Sequence, residues 1–114
     1  MGTLILPDLP SVTSFHLFSS VGSSTKLCNI TFSNNGTFGN NSTTESLTLD
    51  LCQIWTSSAT SNVTRYTNLA NSIGNNTSGL TRNIKLNTNL YNVLTDEQKA
   101  ILTDKGYTIT YGTS

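Results

Sequence analysis

Charge is what this sequence has least of: six basic and six acidic side chains make up 11% of 114 residues and cancel to a formal net charge of zero. Proteins that hold nucleic acid or anionic membranes by their field carry a clustered basic surplus. Here Lys26, Arg65, Arg82, Lys85, Lys99 and Lys105 form no run, so no nucleic acid is expected as a partner. No apolar stretch approaches the roughly 18 residues of a membrane span, so no membrane insertion is expected either. Cysteine is equally scarce. Cys28 and Cys52 are too few for a disulfide scaffold and show no Cys/His metal spacing, so both are expected as free thiols. The opening Met1 to Pro7 has no basic n-region and no proper h-region, and therefore does not read as a signal peptide. Leu6 stands where a myristoylation start needs Ser or Thr.

The residues of catalysis are also thin on the ground. His16 is the single histidine and sits among Phe15, Leu17 and Phe18, which reads as a structural position; no Gly-x-Ser-x-Gly element accompanies it. Among the acidic residues, Glu45 and Asp50 are five apart on or beside one strand, which puts them on opposite sides of it. Asp96 and Glu97 are better read as helix N-terminal charges. Gly36 and Gly39 precede no helix carrying a lysine, so they are turn glycines and not a phosphate loop. No catalytic residue, cofactor or metal is expected, and the chain does not read as an enzyme. Trp55 follows a strand and is expected as a core or interface anchor, with an exposed sugar-stacking platform as the other reading.

Asn, Ser and Thr are there in place of charge, on the order of 40% of the chain, far above the usual share. They create sequons at Asn29, Asn35, Asn40, Asn41, Asn62, Asn75 and Asn76, which alone would suggest a secreted glycoprotein. So Asn/Thr-rich a chain generates sequons by composition, and adjacent ones such as Asn40 and Asn41 do not both take a glycan easily.

The apolar residues are not diluted through this polar background but gathered in clusters that repeat. Leu27-x-x-Ile30-x-Phe32-x-x-Asn35, Thr44-x-x-Leu47-x-Leu49-x-x-Cys52 and Thr81-x-x-Ile84-x-Leu86-x-x-Asn89 share one spacing, and Leu4-x-Leu6 and Ile109-x-Tyr111 are shorter copies. Alternation with period two belongs to a strand with one buried face. The ninth place, Asn35, Cys52 and Asn89, is expected to stack as a structural ladder in which each amide satisfies backbone groups at the turn. Leu4 to Ile30 is 26 residues, Ile84 to Ile109 is 25, Ile30 to Leu47 is 17 and Leu47 to Ile84 is 37. Between the clusters, Thr95-Asp96-Glu97-Gln98 reads as a capping box, with Ala100 and Ile101 facing the core and Lys105-Gly106 as the basic end and stop. Asn62 to Ile73 is a second helix stopped by Gly74, and Val12 to Ser20 a third. Strand, crossover and strand in one sense imply parallel pairing with right-handed connections.

This unit resembles the leucine-rich repeat. Its tail, from Asn83-Ile84-Lys85-Leu86 through Leu94-Thr95-Asp96-Glu97-Gln98 to Tyr107-Thr108-Ile109, is similar to the closing repeat of BspA-type leucine-rich proteins of gut bacteria and of their phages' virion and tail proteins. The likeness covers roughly Leu27 to Gly112. It implies an α/β fold: a short right-handed solenoid with a mostly parallel five-stranded sheet and helices or loops on the other side. The expected organisation is one domain over residues 1–114, with a weak N-terminal repeat at 1–24 and clearer repeats at 25–114. The resemblance further implies an interaction face on the outward strand positions. These are Asn29, Thr31 and Ser33, Ser46, Thr48 and Asp50, Asn83, Lys85 and Asn87, and Thr108 and Thr110. Of them Thr31, Ser33, Thr48, Asp50, Lys85, Asn87, Thr108 and Thr110 form the candidate binding face.

The function expected on this basis is a non-enzymatic interaction module of a bacterial surface or phage structural protein, binding protein or glycan and located on a virion or cell surface. The alternatives are a purely structural virion subunit and a secreted glycoprotein fragment. A partner protein or self-association is expected above all at the Leu4 to Leu6 strand, whose edge invites pairing.

Overall fold

The computed structural model describes residues 3–13 and 29–113. The elements are β1 (Thr3–Leu6), β2 (Asn29–Phe32), β3 (Ser46–Asp50), α1 (Thr60–Ser72), β4 (Thr81–Asn87), α2 (Thr88–Tyr91), α3 (Asp96–Thr103) and β5 (Thr108–Gly112). All five apolar alternations are strands, and every pairing among them is parallel. The fold is α/β, with two parallel sheets and helices. The helix expected over Val12 to Ser20 lies mostly outside the described residues, as do His16, Cys28 and most of the 1–24 repeat.

The strands do not form one five-stranded sheet. They divide into a two-stranded sheet, β1-β2, and a three-stranded sheet, β3-β4-β5. The division happens at β2. Its Ser33 N–H turns toward β1 and donates to Leu6 O at 2.9 Å. Successive residues of a strand aim their N–H groups at opposite neighbours, so Phe32 N–H faces the other edge, where it donates to Ser72 Oγ at 2.9 Å. The last turn of α1 therefore occupies the place expected of β3. The chain leaves β2 through Asn34 and Asn35, both left-handed at φ 53° and 56°, a conformation Asn tolerates better than most residues. It is thereby turned out of the sheet before β3 begins.

In contact order one layer runs β1, β2, α1, α3 and the other β3, β4, β5. Between them lies one apolar core, to which Leu6, Ile30 and Phe32 contribute from the first layer and Leu47, Leu49, Ile84 and Leu86 from the second. Tyr66, Leu69, Ala70 and Ile73 of the α1 segment close it, and Trp55 is wholly inside. That burial decides the reading of Trp55 in favour of a core anchor over a sugar platform.

The loops between the layers are bonded to one another in succession. Leu9 N–H donates to Thr37 O (2.8 Å), Gly74 N–H to Gly36 O (3.0 Å) and Asn76 N–H to Lys105 O (2.7 Å). Asn40 reinforces the series, its Nδ2 on Asn75 O and its Oδ1 accepting from Thr77 N–H. Gly74 is glycine because the chain passes too close for a side chain: a Cβ there would collide with the carbonyl oxygen of Asn35.

The registers test the spacing argument directly. Leu4 pairs with Ile30 and Ile84 with Ile109, the expected offsets of 26 and 25. Between β3 and β4 the offset is 35, not 37: Leu47 pairs with Arg82 and Leu49 with Ile84. A shift by two keeps every residue on its own face; Arg82 lies on the buried one with Ile84 and Leu86, and the shift sets it level with Leu47. Its side chain is fully buried, and its guanidinium donates to Gly39 O through Nε (3.2 Å) and Nη2 (2.8 Å), to Ser42 O (3.1 Å), Thr44 O (2.9 Å) and Thr81 O (2.8 Å). Gly39 adopts φ 79°, and a Cβ there would press on Arg82 Nε and Leu47. The arginine thus ties the 39–44 loop to the edge of the sheet.

The helix ends follow their local chemistry. Thr95 and Gln98 form a complete reciprocal capping box, with Asp96 and Glu97 in the first turn. Inside α3 it is Leu102 that is fully buried, while Ala100 and Ile101 are half-buried. Lys105 does not serve its own helix. Its ammonium reaches Ala70 O (2.7 Å), Asn71 O (3.3 Å) and Ile73 O (2.6 Å) at the end of α1, where unpaired carbonyls and the helix dipole favour a cation.

Candidate binding face of the three-stranded sheet

Because the β3-β4-β5 sheet buries one face, the intervening residues stand on the other in rows. One row is Thr48, Asn83 and Thr108, and the next is Asp50, Lys85 and Thr110. The centre of the first row is fixed by side-chain hydrogen bonds. Asn83 Nδ2 donates to Thr110 Oγ1 at 2.8 Å and reaches Thr48 Oγ1 at 3.5 Å, while its Oδ1 accepts from Thr108 Oγ1 at 3.1 Å. An amide with two donors and an acceptor suits a Thr neighbour on either side, and such cross-strand pairs stiffen a sheet surface. Asp50 and Lys85 stand level on adjacent strands with opposite charge. Asp50 Oδ1 also accepts from Cys52 N–H (2.9 Å), and Lys85 lies across Gly112, where a Cβ would come within 3.0 Å of its Cε.

Five of the eight expected face residues, Thr48, Asp50, Lys85, Thr108 and Thr110, therefore share this surface. Thr31 and Ser33 do not join them: they belong to β2 and its end, in the other sheet, and Ser33 Oγ bonds back to Leu6 O (3.5 Å). Asn87 does not face out. It is buried at the end of β4, its Nδ2 donating to Cys52 O (2.9 Å) and its Oδ1 accepting from Asn89 N–H (2.9 Å) as the N-cap of α2. The polar residue is turned inward because the strand passes directly into a helix whose first amides need an acceptor.

The same geometry corrects the ladder. Cys52 is buried, with its thiol aimed at Leu86 O (3.4 Å), and it is joined to Asn87, not to Asn89. Asn89 is exposed on α2, with Nδ2 on Thr56 O (3.2 Å). Asn35 is exposed in the left-handed turn after β2. The two-residue register shift explains the substitution, since position 52 stands level with 87 once Asp50 pairs with Lys85. Burial, seconded by Asp50, pushes the Cys52 thiol up to about 11. It is a free, neutral thiol with no nucleophilic character near neutral pH.

Two features escaped the spacing argument. Alternation marks Asn83 as outward but does not mark it as the hub of the face, for which an amide flanked by threonine-bearing strands is the available signal. At the edge, Tyr111 stacks on Tyr91 with centroids 4.4 Å apart, and Lys99 Nζ lies 4.1 Å from the Tyr91 centroid. Tyr111 remains 56% exposed. Among the described residues no helix is long and apolar enough to cross a membrane. Comparison with family models, with curated proteins and with solved structures finds no match to this chain.

Proposed function

We propose that this chain is a non-enzymatic interaction module that binds a protein or glycan through the polar face of its three-stranded sheet. The observation that carries the reading is the Asn83 network: a flat surface of hydroxyls and one amide, held in place before any partner arrives, loses little freedom on binding. Around it, Asp50 and Lys85 supply one charge of each sign. The repeated loop-to-loop bonds, Leu9 to Thr37, Gly74 to Gly36 and Asn76 to Lys105, support reading the chain as a short right-handed leucine-rich-repeat-like coil whose front wall is β3-β4-β5. A place on a bacterial surface or in a phage virion or tail goes with that resemblance.

The glycoprotein alternative is weakened at three sequons whose amide nitrogens are already engaged. Asn62 is 3% exposed and bonded to Ser57, Asn76 to Leu80 O and Gly106 O, and Asn40 to Asn75 O. The reading as a structural virion subunit is favoured by Ile5, which is 60% exposed on the β1 strand where self-association was expected.

The test is retention on a glycan array and on intact bacterial cells, comparing the wild-type chain with Thr108→Arg. Position 108 is exposed, so the variant keeps the fold while obstructing the face. Wild-type binding that falls at least about tenfold in the variant, a change of about 1.4 kcal/mol, supports the face. Equal binding by both, or none by the wild type, refutes it.

A further inference from the structure

β5 is a five-residue edge strand, Thr108-Ile109-Thr110-Tyr111-Gly112, with none of the devices that keep such edges apart: it carries no charge, no proline and no bulge. Among the described residues it pairs with β4 alone. Its inward positions are incompletely covered, Ile109 being half-buried where its neighbour Ile84 is fully buried, and Tyr111 being largely exposed.

The backbone groups at this edge follow from the ladder. Leu51 N–H donates to Lys85 O (2.8 Å), so Lys85 faces β3. By alternation Ile84 and Leu86 face β5, where a parallel register bonds them to the residues flanking their level partners Ile109 and Tyr111. Thr108, Thr110 and Gly112 therefore aim their backbone at β4. Ile109 and Tyr111 present theirs to the open side.

We infer that β5 pairs antiparallel with β5 of a second copy of this chain, about a two-fold axis through Thr110. In that register Ile109 of each copy stands opposite Tyr111 of the other, and each pair exchanges both of its open N–H···O bonds. Their side chains share the inward face, so each exposed Tyr111 gains an isoleucine neighbour across the strand. On the outward face Thr110 meets Thr110 of the second copy, a hydroxyl pair without charge repulsion. The contact is isologous and closes as a dimer, joining two three-stranded sheets into one of six strands. The inference concerns the edge and stands whether or not the polar face binds a partner.

Sedimentation equilibrium of the wild-type chain should give a dimer. Thr110→Lys sets two ammonium groups opposite each other at the axis; it gives up the Asn83 Nδ2 bond to Thr110 Oγ1 but leaves the monomer's backbone bonds to β4 intact, and it should sediment as a monomer with an unchanged far-UV circular dichroism spectrum. Thr110→Cys reads the register, because directly opposed residues of this type bring their Cβ atoms within about 5.5 Å and close a disulfide readily. Under mild oxidation it should form a covalent dimer, while the wild type and Thr108→Cys, which faces Gly112 of the other copy, should not. A wild-type monomer, a concentration-dependent series beyond the dimer, a Thr110→Lys dimer, or equal crosslinking at 108 and 110 would each overturn the inference.

Discussion

Replacing Arg82 by methionine removes the guanidinium while keeping a side chain of similar length in its place. Four carbonyl groups lose a donor, but they are not equivalent. Gly39 and Ser42 are buried, whereas Thr44 is half-buried and Thr81 exposed, so the last two find water. Ser42 O left without that donor costs about 1–3 kcal/mol, and Gly39 O, which keeps the Ser42 N–H (3.2 Å), gives up charge-assisted bonds of about 1.5–3 kcal/mol, so the two cost about 2.5–6 together. Against this stands the relief of no longer burying a cation, and the apolar burial of the methionine, together about 1–2 kcal/mol. The net loss is about 3 kcal/mol, a large part of the roughly 5–15 kcal/mol that holds a domain together. Urea titration followed by Trp55 fluorescence and far-UV circular dichroism measures it, and Arg82→Lys, which restores a single donor head, should recover part of the loss. A loss under about 1 kcal/mol would mean that water replaces the arginine at Gly39 and Ser42, and that the 39–44 loop is not pinned to the sheet as described.

The corrected ladder is tested by a pair of variants: Asn87→Leu should cost about 1–3 kcal/mol because it strands Cys52 O and the Asn89 amide, whereas Asn89→Leu on the exposed side of α2 should cost under about 0.5 kcal/mol. Equal costs in thermal melts would refute the assignment. Stability should also fall in alkali. Cys52 is pushed up from 9.0 to about 11, and Tyr66 and Tyr107 are pushed above their ordinary 10.0 by burial. Below pH 9 all three are protonated folded and unfolded alike; above it the unfolded chain ionises first, so stability is full below pH 9 and is lost toward and beyond pH 11. Cys52→Ala should flatten the part of that fall between pH 9 and 11 in denaturant titrations, and an unchanged slope would show that the buried thiol is not its source.

The strands, two of the helices and two of the three registers were legible because each is a local matter. Alternation marked Ile30 and Phe32, Leu47 and Leu49, and Ile84 and Leu86 as inward, and all six are buried. The capping box at Thr95 required only four residues to agree. Extending the same pattern backward from Ile84 and Leu86 puts Arg82 inside, so the buried arginine was present in the spacing, but its charge argued for the surface. What overcame that argument is not in the strand at all: the Gly39, Ser42 and Thr44 carbonyls, some 40 positions away, supply the acceptors that make its burial affordable.

The layer to which a strand belongs was illegible for a related reason. Period-two alternation tells which side chains face a core, and it reads the same from either side of that core. β1 and β2 carry the pattern of the other strands and bury Leu6, Ile30 and Phe32 in the same apolar cluster, yet they approach it from the opposite layer. The deciding contact is Phe32 N–H on Ser72 Oγ, which gives the edge of β2 to a helix 40 residues later. Ser72 can hold that place because its own hydroxyl hydrogen is committed to Leu69 O (2.8 Å), leaving the oxygen lone pairs for the strand. A serine at the end of a polar helix carries no mark of this in sequence. The candidate face inherits the consequence: only the positions that follow the Asn34-Asn35 turn, from Thr48 to Thr110, come together around Asn83, while Thr31 and Ser33, equivalent to them in spacing, stay in the other sheet.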